Sequence, residues 1–478
     1  MKLNIVKIIR TAFILMALAD FTSAKAVAPM GDSDYNNSDF EVYVKGATGD
    51  WNRMPVYPVK VDEVKDARHN VRTSSMSYFD MDGKSQVKIV SKHNIDKAKI
   101  QPVYNAPAYD VKSDTILLTL TQPKNLVVTV NDDIFHNLHL FANPKDNNKP
   151  SKKELRKKKT NLIYFAPGVH QLDGDTLRIP SGATVYVSEG ARVLGTLIVD
   201  DARDVKIFGR GEVHPKGRGE GIYIKRSRNI DVEGVIVTQI PVGESDSVRI
   251  SNVKSISSYG WGDGMNVFAS DNVTYDGVFC RNSDDCSTVY ATRKGFNGGC
   301  RNIMMKNSTL WADVAHPIMI GLHGNAEKGD IIQNVRYENI DILDHCENQI
   351  DYQGCFAINC GDNNLVKDVV FDNIRVEDFR KGQLVNIRIF YNKKYCAAPG
   401  TGIHGVLFKD ITYNGNNANL SIISGYDENR KVSDITFDNL VINGVKIHDN
   451  MEGKPKWYKT SDFAKMFVGE HVDNITFK

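Results

Sequence analysis

Cysteine is sparse and one-sided. The chain of 478 residues has seven, at positions 280, 286, 300, 346, 355, 360 and 396. No pair has the close spacing of a zinc site, and an odd count leaves at least one thiol without a partner in the chain. Whether the others form one or two disulfides or stack as small buried apolar residues is open at this level. Charge of one sign is also missing. Lys+Arg is 60 and Asp+Glu is 58, so the net charge of +2 lacks the basic excess of a nucleic-acid-binding protein. A composition 41% hydrophobic and 25% charged excludes wholesale disorder. Several motifs are absent: there is no His-Glu-x-x-His and no Gly-x-Ser-x-Gly. Gly209-Arg210-Gly211 lacks the third glycine of a dinucleotide loop.

Long apolar runs are missing as well. The most apolar stretch, Thr11 to Ala19, is too short to span a bilayer, which takes about 20 residues. It follows Lys2, Lys7 and Arg10 and precedes the small residues Thr22-Ser23-Ala24. That order predicts a secretory signal covering residues 1–24, with cleavage near Ala24. Losing three cations and Asp20 with it brings the net charge from +2 to zero. The mature protein is therefore expected to be soluble and monomeric, in the periplasm, at the cell surface or released, with no transmembrane segment.

Two regions follow. Residues 38–143 carry short alternating segments such as Glu41–Lys45, Val56–Val61, Ser85–Val90, Thr115–Leu120 and Asn125–Val130, broken by turn residues. They predict a small N-terminal β-sandwich. Pro144 to Thr160 is a charged linker, and its run from Arg156 to Lys159 lacks the interleaved aromatics of a nucleic-acid surface.

From residue 161 to 478 the sequence repeats. Asn or Asp, then Val or Ile, then alternating polar and apolar residues recur at Asn229, Asn272, Asn302, Asn334, Asp368, Gly405, Asp434 and Asn474. Period-two alternation closed by a polar turn, every 20–40 residues or so, is a solenoid signature. The expected fold is all-β: a right-handed parallel β-helix of about ten coils. One coil cannot bury its own apolar side, whereas coils stacked about 4.8 Å apart can. Asn suits the turn because it tolerates left-handed backbone and bonds its stacked neighbours.

Two coils carry a concentration of carboxylates. Asp263 precedes Asp284 by 21 residues and Asp285 by 22, one short coil, so all three stack on one face. Crowded like charges retain a proton at neutral pH. A protonated carboxyl beside an ionised one supplies the acid and the base of glycosidic hydrolysis. A Ca²⁺ cluster and plain turn carboxylates are the competing readings.

Asp263-Gly264, Asn282-Ser283-Asp284-Asp285-Cys286 and His316-Pro317-Ile318 resemble the signature of glycoside hydrolase family 28, the polygalacturonases. The layout, with a sandwich before the helix, is also similar to family 49, the dextranases and isopullulanases. The resemblance implies Asp284 as general acid, Asp263 and Asp285 holding and activating water, and His316 tuning the acid. It implies no metal and no organic cofactor. One departure concerns the substrate. The polygalacturonase Arg-x-Lys is replaced by Phe356-Ala357-Ile358-Asn359, with Arg388 only a coil later. A site without a cation binds uronates poorly, so a neutral, dextran-like polysaccharide is favoured over pectin. Trp261, Tyr259 and Tyr290 are candidates to stack sugar rings, with Tyr352 a weaker one. Arg293, His323 and Arg388 are candidate hydrogen-bond donors to substrate. Trp311 and Asp313 have no assigned role. A polysaccharide lyase and a non-catalytic carbohydrate-binding β-helix are the alternatives. The expected enzyme inverts configuration.

Overall fold

The computed structural model describes residues 39–46, 49–66, 68–156 and 161–478. The expected signal segment, and residues 157–160 at the end of the linker, lie outside them. The first part is a sandwich of two five-stranded sheets, whose strands run from Phe40–Lys45 to Leu138–Asn143. Alternation accounts for the first strand, where Phe40, Val42 and Val44 face in and the residues between them face out. The core joins these residues to Val87, Ile89, Ile116, Leu118 and Leu126.

The second part is a parallel β-helix whose strands, from Leu162–Phe165 to Val472–Phe477, join in one continuous ladder of 28. One inward column runs in register from Val205 through Ile230, Val248, Val273, Ile303, Val335, Val369, Val406 and Ile435 to Ile475. Each such side chain contributes about 1.5–3 kcal/mol by leaving water. Beside it Tyr337, Phe371, Phe408, Phe437 and Phe477 stack at 4.7–5.7 Å between ring centroids. The repeat asparagines do what their chemistry suggested. Asn272, Asn302 and Asn334 sit at φ 55°, 58° and 55°. Asn334 Nδ2 donates to Asn302 Oδ1 (2.6 Å), and Asn302 Nδ2 to Asn272 Oδ1 (2.8 Å). All seven cysteines are free thiols, and six of them are buried. Buried free thiols, rather than disulfides, are what the helix contains.

A buried charge cluster fastens the sandwich to the helix. Arg281, fully buried, donates to Asn137 Oδ1 (3.0 Å) and the Ile134 carbonyl (2.8 Å) of the sandwich side. Its Nε donates to Asp313 Oδ2 at 2.8 Å. Asp313 also accepts from Trp311 Nε1 (3.0 Å) and Arg380 Nη2 (3.0 Å). Trp311 and Asp313 thus belong to this clamp, where the paired charges satisfy one another away from water.

Candidate active site

Backbone pairing stacks the three carboxylates. The Gly264 N–H donates to the Asp285 carbonyl, Met265 N–H to Cys286, and Cys286 N–H to His316, each at 2.8 Å. Asp263, Asp285 and His316 therefore lie on three successive coils. Gly264 is required by this approach: a Cβ there would stand 2.5 Å from Asn282 Oδ1 and from the Cys286 carbonyl oxygen. Asp284 and Asp285 lie in a bend between strands Phe279–Asn282 and Ser287–Tyr290. In a straight strand neighbours point to opposite faces. The bend frees both from that rule, while Cys286 turns into the core.

The three carboxyls have different surroundings. Three donors converge on Asp285: the His316 N–H (3.1 Å) and His316 Nδ1 (2.7 Å) on Oδ1, and the Tyr290 hydroxyl (3.0 Å) on Oδ2. A carboxylate, which only accepts, satisfies all three. His316 Nε2 faces the Tyr352 carbonyl at 2.6 Å. Both ring nitrogens thus meet acceptors, which only the doubly protonated ring satisfies. Burial works against that cation, but the charge and hydrogen bond of Asp285, with Glu347 and the Tyr352 carbonyl, raise its pKa overall.

Asp263 accepts from Asn266 Nδ2 at 2.7 Å, and Asn266 Oδ1 accepts from Thr288 Oγ1 at 2.7 Å. Burial and the charge of Asp285 push the Asp263 carboxyl up to about 6, against the pull of Asn266, Lys294 and Arg293. Asp284 is half-buried and, among the described residues, accepts a hydrogen bond only from the Asp285 N–H (3.0 Å). Burial, then the charges of Asp263 and Asp285, hold its pKa well above the carboxylate range. Asp285 is thus surrounded by donors, while Asp284 is built to keep its proton.

The rim is set partly by the sandwich. Trp261, at φ 49°, is 70% exposed and Tyr259, at φ 75°, is 48% exposed. Between them the Gly260 N–H donates to the buried Asp62 Oδ2 (2.9 Å), which also meets His69 Nδ1 (2.7 Å). The Arg218 guanidinium lies 4.7 Å from the Trp261 ring centroid. Arg293 is exposed and donates to His323 Nδ1 at 3.2 Å.

Three expected substrate contacts are placed otherwise. Tyr290 is buried beside Phe268 and edge-on to His323, so its ring offers no stacking face; its hydroxyl serves Asp285 instead. His323 is buried, with one nitrogen accepting from Arg293 and a further bond to the Tyr395 backbone. Burial and the Arg293 charge lower its pKa to about 3, so it stays neutral. Arg388 donates to Asn386 Oδ1 (3.0 Å) and lies over the Phe390 ring (5.2 Å), three coils beyond Asp285. His316 touches Asp285 rather than the expected acid, Asp284. Sequence reasoning missed Asn266, Thr288 and Glu347. The spacing of Asp263 to Asn266, three residues across one strand start, was the available signal for the first.

A parallel β-helix with stacked carboxylates on one face defines a class of polysaccharide-cleaving enzyme. The model of glycosyl hydrolases family 28 matches residues 212–460, and the chain belongs to that family. It is a glycoside hydrolase of the β-helix type acting on polysaccharide. No curated protein matches the chain. Among solved structures it is similar to Dex49A from Penicillium minioluteum, at 12% identity and TM-score 0.58, over 94% of this chain and 96% of that one. It is also similar to the family 28 exopolygalacturonase of Yersinia enterocolitica, at 11% identity and TM-score 0.49, over 82% and 96%. At 12% identity the likeness to Dex49A is one of fold.

Proposed function

We propose that this chain hydrolyses a glycosidic bond within a polysaccharide with inversion, using Asp284 as general acid and Asp263 with Asp285 as the water-activating pair. The observation that carries the reading is the unequal environment of the stacked carboxyls. Asp284 keeps its proton and delivers it to the glycosidic oxygen as the bond to the anomeric carbon breaks. A water held by Asp263 and Asp285 attacks that carbon from the opposite face and gives up its proton to them. Inversion needs about 6.5–9.5 Å between acid and base, so that water fits. Carboxyls on neighbouring coils, about 4.8 Å apart and offset sideways, supply a spacing of that order. His316 and Tyr290 hold Asp285 in place; Asn266 and Thr288 hold Asp263.

On the coil after His316 the outward positions are Ala357 and Asn359, both fully buried. No cation reaches a sugar from there, which favours a neutral polysaccharide. Arg293 and Lys294, whose charges act on Asp263, support an acidic sugar as the second reading. Trp261 and Tyr259 provide stacking surfaces at the rim. The basic start and apolar stretch before Ala24 support export, and the enzyme is proposed to act as a monomer. Among the described residues no helix is long and apolar enough to cross a membrane. The test is incubation with dextran, pullulan and pectate, following the product anomer by NMR. Initial release of the inverted anomer supports the reading. Retained configuration, or an unsaturated product absorbing in the ultraviolet, contradicts it.

A further inference from the structure

A short hairpin follows strand Ser287–Tyr290, whose last residue gives its hydroxyl to Asp285. Arg293 and Phe296 pair antiparallel: the Arg293 N–H donates to the Phe296 carbonyl (3.0 Å), and the Phe296 N–H to the Arg293 carbonyl (2.9 Å). Lys294 and Gly295 between them sit at φ 50° and 84°, the positive values that a tight two-residue turn of this hand takes. The hairpin is fixed at both roots. Phe296 is buried and stacks on Phe268 at 6.2 Å, with planes 10° apart. On the other side the Thr292 N–H donates to Asp330 Oδ2 (3.2 Å), and Thr292 Oγ1 accepts from the Gly298 N–H (3.0 Å).

The head of the Arg293 side chain is fixed as well. Its Nη1 donates to His323 Nδ1 at 3.2 Å. His323 is neutral, so one ring nitrogen donates and the other accepts. A guanidinium has only N–H groups, so Nδ1 is the acceptor and Nε2 keeps the proton, and the ring bonds the Tyr395 backbone. The imidazole cannot turn away. It is buried edge-on against Tyr290 at 4.9 Å, and its backbone carbonyl accepts from Asn364 Nδ2 (2.9 Å) and the Ala291 N–H (3.1 Å). The rest of the guanidinium is unclaimed. Arg293 is exposed, and among the described residues its other nitrogens meet no acceptor. Its charge acts on Asp263, which places the open N–H groups near the water-activating pair.

We infer that His323 is a positioning residue of this site: it holds the Arg293 guanidinium still beside the carboxylates, so that the free N–H groups bind two neighbouring oxygens of the substrate sugar. The planar fork of a guanidinium matches such a pair, whether two ring hydroxyls or one carboxylate. An exposed arginine ordinarily loses rotamer freedom when it binds. Holding its head in advance removes that loss, worth about 2- to 10-fold in affinity. The inference rests on the hydrolase reading above and deepens it. His323 touches neither sugar nor water; it acts through Arg293, on binding rather than on the chemical step.

The experiment measures KM and kcat of the full chain on dextran, pullulan and pectate, using whichever polymer is degraded. His323→Leu removes the acceptor and is expected to raise KM about 2- to 10-fold, with kcat within about twofold. His323→Gln still offers an acceptor to Arg293 and a donor to the Tyr395 backbone, and restores most of the lost affinity. The two positions are coupled, so in an Arg293→Ala background His323→Leu raises KM no further. An unchanged KM in folded His323→Leu overturns the inference, and so does a full second rise in the Arg293→Ala background. If His323→Leu does not fold, Arg293→Ala and His323→Gln decide. A raised KM in the first with a near-normal KM in the second supports the inference; an unchanged KM in Arg293→Ala overturns it. A rise on dextran or pullulan assigns hydroxyls to the fork, and a rise on pectate a carboxylate. No hydrolysis of any polymer by the unaltered chain overturns the hydrolase reading, and this inference with it.

Discussion

His316 donates from Nδ1 to Asp285 Oδ1 at 2.7 Å, with the His316 side chain fully buried and Asp285 nearly so. The same ring reaches the Tyr352 carbonyl from Nε2, so one imidazolium ties the carboxylate to the segment before strand Phe356–Cys360. Removing one partner of a buried charged pair costs of order 3 kcal/mol, because the other is left unpaired. His316→Ala is therefore expected to lower Tm by several degrees and kcat by about 100-fold or more. Thermal melts and initial rates check this. A variant with full activity removes His316 from the site.

The acid limb of the pH–rate profile should report Asp263. Its carboxyl is pushed up to about 6 by burial and the Asp285 charge, and it acts as base only when ionised. Activity is expected to rise as pH passes through about 6 and to fall where Asp284 loses its proton, the apparent values belonging to the coupled group. Asp263→Asn removes that limb and lowers kcat by about 10²–10⁴-fold.

Stability gives a second readout of the same carboxyl, with the opposite sign. The folded pKa lies above the unfolded one, so the unfolded chain gives up the proton first, and folding stability falls as pH rises from about 4 to about 6. Asp263→Asn should stabilise the fold by of order 2 kcal/mol above pH about 6, and by little below pH about 4. Melting curves across that range check it.

The sandwich is expected to matter for substrate binding rather than for chemistry. Asp62 holds the Gly260 N–H and His69 together beneath Trp261. Asp62→Ala frees that loop, and KM should rise several-fold while kcat stays within about twofold, the pattern of lost uniform binding. Trp261→Ala should raise KM in the same way. A fall in kcat at constant KM would place this loop in the chemical step.

Much of this was legible in the sequence, for physical reasons. The turn asparagines gave the coil because left-handed backbone at a fixed step is hard to achieve with other residues. The 21- and 22-residue steps gave the stacked carboxylates because they match the short coil at that place, where Met265 pairs with Ser287. What was not legible depended on long-range packing. Asp62 reaches Gly260 across 198 positions, and no periodicity links a sandwich strand to a helix turn. Tyr290 and His323 look like surface groups in sequence, yet the 390–401 loop folds back beside His323. Strand Arg68–Asp80, whose burial does not alternate, was likewise missed.

The most direct test of the account is Asp284→Asn. It keeps the shape of the side chain, removes the transferable proton, and relieves repulsion from Asp263 and Asp285. Hydrolysis of the best polymer substrate should drop to background, while the circular dichroism spectrum is unchanged and Tm is equal or higher. Near-normal turnover by a folded Asp284→Asn enzyme would contradict the assignment of the acid and the mechanism built on it.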